Sequence, residues 1–150
     1  MAARTYPAGV PCWLDVEQTD TAATEAFYGD LFGWELDDVG VGSMWRRPGY
    51  GDHLQATIDP DIRERQSADL VPPGFADCVA WLAPLAAGEP PHWHVTFAVA
   101  DRDRSLARAL ELGASVVEQP LDTEWTRSVV IRDPQGAIPT LSQFTPPVTT

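Results

Sequence analysis

Two of the three histidines, His92 and His94, stand two residues apart in a run that alternates in character. In an extended strand that spacing points both rings to one face. Imidazole passes protons near neutrality and ligates Fe and Zn, so the pair invites both readings. Asp15 and Glu17 repeat the spacing and set two carboxylates about 7 Å apart along a strand face. His94 with Asp15 or Glu17 would make an acid/base set. His92, His94 and one carboxylate would make a site for iron or zinc. Each group also has a plainer reading. A strand histidine commonly serves as a hydrogen-bonded wall, His92 beside Pro90 and Pro91 would sit at a rim in solvent, and carboxylates usually face water. For the metal the plainer reading is favoured. Cys78 is a candidate nucleophile, but no base adjoins it in sequence, which fits a small buried thiol. There is no glycine-rich phosphate loop, no Ser/His/Asp order of known type and no zinc-finger spacing.

Repeated elements must position these groups. Cys12 to Glu17 alternates strictly, with Cys12, Leu14 and Val16 on one side and Trp13, Asp15 and Glu17 on the other. Asp20 then stands at a helix N-cap position, Ala23, Phe27 and Leu31 follow at helical spacing, and Gly33 stops the helix. The same phrase returns about eighty residues on: His94 to Val99 alternates, Asp101 caps, SLARALEL is amphipathic and Gly113 stops it. Trp13 to Asp20 and His94 to Asp101 are equal intervals, as duplicated supersecondary units would give. Short strand-like runs follow each helix, Trp34–Val39, Ser43–Arg47 and His53–Ile58 in the first half, Ser115–Glu118 and Ser128–Arg132 in the second. Pro72-Pro73-Gly74 precedes a strand over Phe75–Leu82, and Asp133-Pro134-Gln135-Gly136 turns into a last strand ending near Phe144. DIRERQSAD reads as an excursion between strands and TPPVTT as a frayed tail. The expected class is α+β, one domain over 1–150 with two βαβββ modules, module one about 9–82 and module two about 90–145.

With 150 residues, 44% of them hydrophobic, the chain can bury a core. A formal net charge of −12 opposes close association with nucleic acid or an anionic membrane. No apolar run reaches the roughly 18–20 residues of a membrane span, and MAARTYPAGV lacks a signal-peptide core, so a cytoplasmic location is expected. Two cysteines, Cys12 and Cys78, make no disulfide framework.

The segments GVPCWLDVEQTDTAATEAFYGDLFGWEL, PPHWHVTFAVADRDRSLARALELGASVVEQP and RSVVIRDPQGAIPTLSQF resemble the vicinal oxygen chelate superfamily of glyoxalase I and bleomycin-resistance proteins, over nearly the whole chain. The resemblance implies mixed sheets, one per module, curled around a cavity with a metal on the inner wall, its ligands on the first and last strands of each module. The positions carried over are Trp13, His94, Thr140 and, through a less regular turn, Cys78. Tryptophan cannot ligate and a neutral threonine hydroxyl ligates poorly, so neither metal nor other cofactor is expected.

Two functions from different classes remain open. One is a metal-free protein, a homodimer or bilobed monomer, that sequesters a hydrophobic or aromatic small molecule, as bleomycin-resistance relatives do. Trp13 would be its stacking surface, with Cys78, His94, Thr96, Thr140 and Ser142 around the ligand. The other is a lyase, isomerase, cyclase or dioxygenase-like enzyme using His94 with Asp15 or Glu17, with or without a divalent metal.

Overall fold

A computed structural model describes residues 6–40, 42–66 and 71–145. Among these the order is β1 (Pro11–Gln18), α1 (Thr21–Phe32), β2 (Glu35–Asp38), β3 (Ser43–Arg46), α2 (Tyr50–Thr57), α3 (Ile62–Gln66), a 3-10 turn at Phe75–Asp77, β4 (Cys78–Pro84), β5 (His92–Ala98), α4 (Arg102–Glu111), β6 (Ser115–Asp122), β7 (Thr126–Arg132) and β8 (Thr140–Phe144). The residues form two compact units, Asp15–Trp93 and, discontinuously, the residues up to Leu14 with those from His94 onward. β1 therefore contributes its first half to one unit and its second half to the other. The expected tail lies, from residue 146 on, outside the described residues, as do the last three residues of the charged excursion. No helix among the described residues is long and apolar enough to cross a membrane.

In the unit Asp15–Trp93 the strands run β2-β3-β4-β1. β2 and β3 pair antiparallel, as do β3 and β4, and β4 lies parallel to β1 with Asp15 opposite Trp81 and Val16 opposite Leu82. Val16, Trp45 and Ala80 form the core, with Tyr28, Trp34, Leu36, Val79 and Leu82 packed against it. Tyr28 is the residue by which α1 reaches the sheet. Its ring stacks on Trp34 at 5.6 Å and meets Trp45 and Trp93 edge to face, and its hydroxyl accepts the Trp93 indole N–H at 2.9 Å. Phe27 and Leu31, picked out by their helical spacing, are exposed instead. Leu14, expected on the apolar side of β1 with Val16, is exposed too.

Both expected caps are present. The Asp20 carboxylate accepts the Ala23 N–H at 2.9 Å and the chain leaves α1 through Gly33 at φ 67°. Asp101 accepts the Arg104 N–H at 2.9 Å. The strand expected over His53–Ile58 is a helix, α2. Gly51 N–H donates to the Asp77 carboxylate at 2.7 Å, and a Cβ on Gly51 would meet the Ala76 Cβ at 2.7 Å, so this helix start is pinned against the turn before β4. The first module is therefore β-α-β-β, two short helices and β, and the second is βαβββ as expected.

In the other unit β5 lies beside the first half of β1, where Gly9 N–H donates to Ala98 O at 2.8 Å and Ala98 N–H to Val10 O at 2.9 Å. The order continues β5-β8-β7-β6, with β5 and β8 parallel and the rest antiparallel. α4 covers one face, where Ala109 and Leu112 line a groove with Ile131 and Leu141. Arg102, the first residue of α4, is buried; its guanidinium donates to Ser128 O at 2.9 Å and to the Asp103 carboxylate at 2.7 Å, and pairs with Asp122 at 3.1 Å. Arg127 bridges the same two carboxylates at 2.8 and 3.2 Å.

Candidate functional site

The register of β5, β8 and β7 decides which side chains share a face. Thr96 is opposite Thr140 and Ala98 opposite Ser142 across the parallel pair; Ser142 is opposite Ser128 and Thr140 opposite Val130 across the antiparallel one. Side chains alternate along a strand, so Leu141 and Ile131 fall on the α4 side. His94, Thr96, Thr140, Ser142 and Ser128 then fall on the opposite face. The sequence-derived residues His94, Thr96, Thr140 and Ser142 are thus gathered on one sheet face, and the register adds Ser128, which nothing local marked. His94 and Thr96 are buried, and His94 Nε2 is 2.8 Å from Thr140 Oγ1. Trp13 is half-buried on the first half of β1 in the same unit, where the neighbouring Cys12 thiol donates to Thr96 O at 3.5 Å.

Asp15, Glu17 and Cys78 belong to the unit Asp15–Trp93. Asp15 and Glu17 alternate with the buried Val16 and so lie on the face away from α1, where Asp15 is opposite Trp81. Glu17 Oε2 lies 3.5 Å from His92 Nε2, and His92 Nδ1 is 2.7 Å from Pro90 O. His92, expected in solvent at a rim, is only partly exposed and paired. Burial pushes the Cys78 thiol up to about 12, with the nearby negative charge of Asp15 adding to the rise and its hydrogen bonds with the Ala80 backbone and the Trp81 side chain opposing it. Its thiolate, the reactive and metal-binding form, is therefore scarce at neutral pH.

The four positions at which the resemblance implies metal ligands do not suit a metal. Trp13 offers no donor atom, Cys78 holds its proton, and the Thr140 hydroxyl is hydrogen-bonded to His94, which leaves one imidazole.

A family model described as the glyoxalase-like domain matches residues 13–138. The chain is 31% identical over 137 residues to CFP32 of Mycobacterium tuberculosis (strain CDC 1551 / Oshkosh), covering 88% of this chain and 44% of that protein. It is 49% identical over 128 residues to the anthracycline biosynthesis protein DauV of Streptomyces sp. (strain C5), covering 83% and 38%. The chain therefore spans less than half the length of these relatives. The Mn(II)-bound glyoxalase from Novosphingobium aromaticivorans superposes with a TM-score of 0.52 at 16% identity, over 95% of this chain and 42% of that one, a likeness of fold. By the match of the domain model over most of its length and by its fold, the chain belongs to the glyoxalase-like domain family of the vicinal oxygen chelate superfamily.

Proposed function

We propose that this domain binds a planar, largely apolar small molecule on the β5-β8-β7 face, with no metal at the positions the resemblance implies. The observation that carries the reading is the 2.8 Å contact between His94 and Thr140. Two positions expected to converge on a metal bond to each other instead, and their surroundings are the hydroxyls of Thr96, Ser142 and Ser128. A wall of small hydroxylated side chains orients a ligand's carbonyls and phenols without demanding a charge. Trp13, in the same unit, supplies the stacking surface, and the acidic chain favours a neutral or cationic ligand over an anion. The kinship with DauV, a protein named for anthracycline biosynthesis, supports a polycyclic aromatic ligand.

The test is titration with a panel of polycyclic aromatic hydroxyketones and, for contrast, aliphatic acyl thioesters, read by indole fluorescence and thermal shift. An aromatic ligand should bind and raise the melting temperature by mass action, and Trp13→Ala should weaken it roughly tenfold or more through lost stacking and contact area. Binding confined to the thioesters, or an affinity indifferent to Trp13→Ala, refutes the reading.

A further inference from the structure

We infer that α1 of one copy of this chain docks into the groove beside α4 of another, so that the protein associates with itself head to tail. The inference is independent of the ligand reading above, whose face of the β5-β8-β7 sheet is the one opposite α4. It begins with α1, a helix in which no residue is fully buried. Phe27 is 60% exposed, Leu31 57% and Phe32 49%, and Trp93, bonded to Tyr28 of the same helix, is 39% exposed. Phe27 and Leu31 stand one turn apart and form a single ridge. An aromatic side chain brings about 150–250 Å² to a contact, so these residues leave open an apolar patch of roughly 300–400 Å². That rivals the largest patch of a typical monomer, and such patches mark contact sites.

The groove offers what such a ridge needs. It holds about 450 Å³ over an apolar floor of Ala109, Leu112, Ile131 and Leu141, and two exposed arginines one turn apart on α4, Arg104 and Arg108, border it. Arg108 pairs with Glu111 of its own helix at 2.8 Å, an exposed bond of little worth that leaves it able to turn to an incoming carboxylate. α1 brings carboxylates and no cation: its 12 residues include Glu25 and Asp30, and Asp30 adjoins the ridge, three residues on from Phe27. Two α1 helices face to face would set acid against acid, whereas α1 in the groove sets acid against arginine. Charge therefore selects the groove of a second copy as the partner of the ridge. Anchors one turn apart on a helix are also the spacing by which helices seat in apolar grooves. Patch and groove together stay below about 1,200 Å², so the association is weak and grows with concentration. The two surfaces differ, so each contact leaves one α1 and one groove open for further copies.

The experiment follows the mass of the whole chain by sedimentation over a concentration series at low salt. Wild type should rise above the monomer mass with a Kd of about 100 μM or tighter. Phe27→Asp, which spoils the ridge, and Leu112→Asp, which spoils the groove, should each stay monomeric. Both positions are 60% exposed, so the fold should persist in each variant, as circular dichroism checks. Mixing the two variants is decisive, because one supplies an intact groove and the other an intact α1. The mixture should form a one-to-one pair and grow no further. Arg104→Glu combined with Arg108→Glu should weaken the association tenfold or more, and so should added salt weaken it in the wild type. A wild type that is monomeric throughout, a Leu112→Asp chain that still associates with itself, or a mixture that stays monomeric overturns the proposal. An aliphatic carboxylate bound in the groove of a monomeric chain would then account for its arginines and floor.

Discussion

Replacing Arg102 by methionine should cost about 2 kcal/mol of stability, and the structure shows where that figure comes from. Arg102 is 4% exposed, yet its two carboxylate partners, Asp103 and Asp122, have side chains more than half exposed. When the guanidinium goes, both carboxylates turn to water and keep Arg127, so little is lost there. The Ser128 carbonyl has no such recourse. It gives up its side-chain donor at 2.9 Å in a partly buried setting, worth about 1–3 kcal/mol. Methionine fills most of the volume of the arginine stem, which keeps the cavity contribution small. With a urea slope near 2 kcal/mol per molar, the unfolding midpoint should fall by about 1 M with the slope unchanged. Asp122→Asn, which removes only an exposed partner, should move it much less. A midpoint shift under about 0.3 M for Arg102→Met, or a larger one for Asp122→Asn, would refute the view that the carbonyl contact matters more than the ion pairs.

Two further outcomes follow from the same geometry. Hydrogen bonds from Arg102 and then Arg127 hold the Asp103 carboxyl below its ordinary value, so its contribution is present above the usual carboxylate range and lost as pH falls through the lowered value. Asp103→Asn should flatten the stability profile below about pH 4, and an unchanged acid limb would contradict this. Cys78, with its thiol pushed up to about 12, should alkylate at pH 8 roughly a thousandfold more slowly in the native chain than in urea. Comparable native and denatured rates, measured by mass spectrometry after iodoacetamide, would place it in a different environment.

Short-range chemistry could be read before the structure, and long-range chemistry could not. The caps at Asp20 and Asp101 involve a side chain and an amide three residues on, so local sequence contains the whole motif. The alternation of β5 placed His94 and Thr96 correctly on one face, and the turn at Asp133–Gly136 led to β8 and so to Thr140. The segment His53–Ile58, expected as a strand, is helical, and the alternation of Leu54, Ala56 and Ile58 in it reflects no burial, since Ile58 is exposed. What makes the segment helical, the Asp77 carboxylate on Gly51, lies 26 residues away. Ser128 and Arg102 were missed for the same reason, since only the register of β7 and β8 brings Ser128 to Ser142, and only the hairpin of β6 and β7 brings Asp122 and the Ser128 carbonyl to Arg102. Phe27 and Leu31 marked a helix that is present, α1, yet both are exposed, so their spacing carried the element and not its buried face.

The division of β1 bears on the order in which the chain can take shape as it is made. The segment Asp15–Trp93 is continuous and contains β2, β3, β4 and the second half of β1, so its ladder waits for no part of the chain beyond Trp93. The other unit is interrupted: the contact between Cys12 and Thr96 spans 84 residues, and the first half of β1 must wait for β5. Closing so long a loop is slow, which makes the seating of residues 9–14 a late event. Until it happens, one edge of β5 has its amides and carbonyls open to another chain. Pairing with the leading strand of a neighbouring molecule would satisfy that edge equally well. Strand exchange is therefore the error this topology invites at high concentration during refolding.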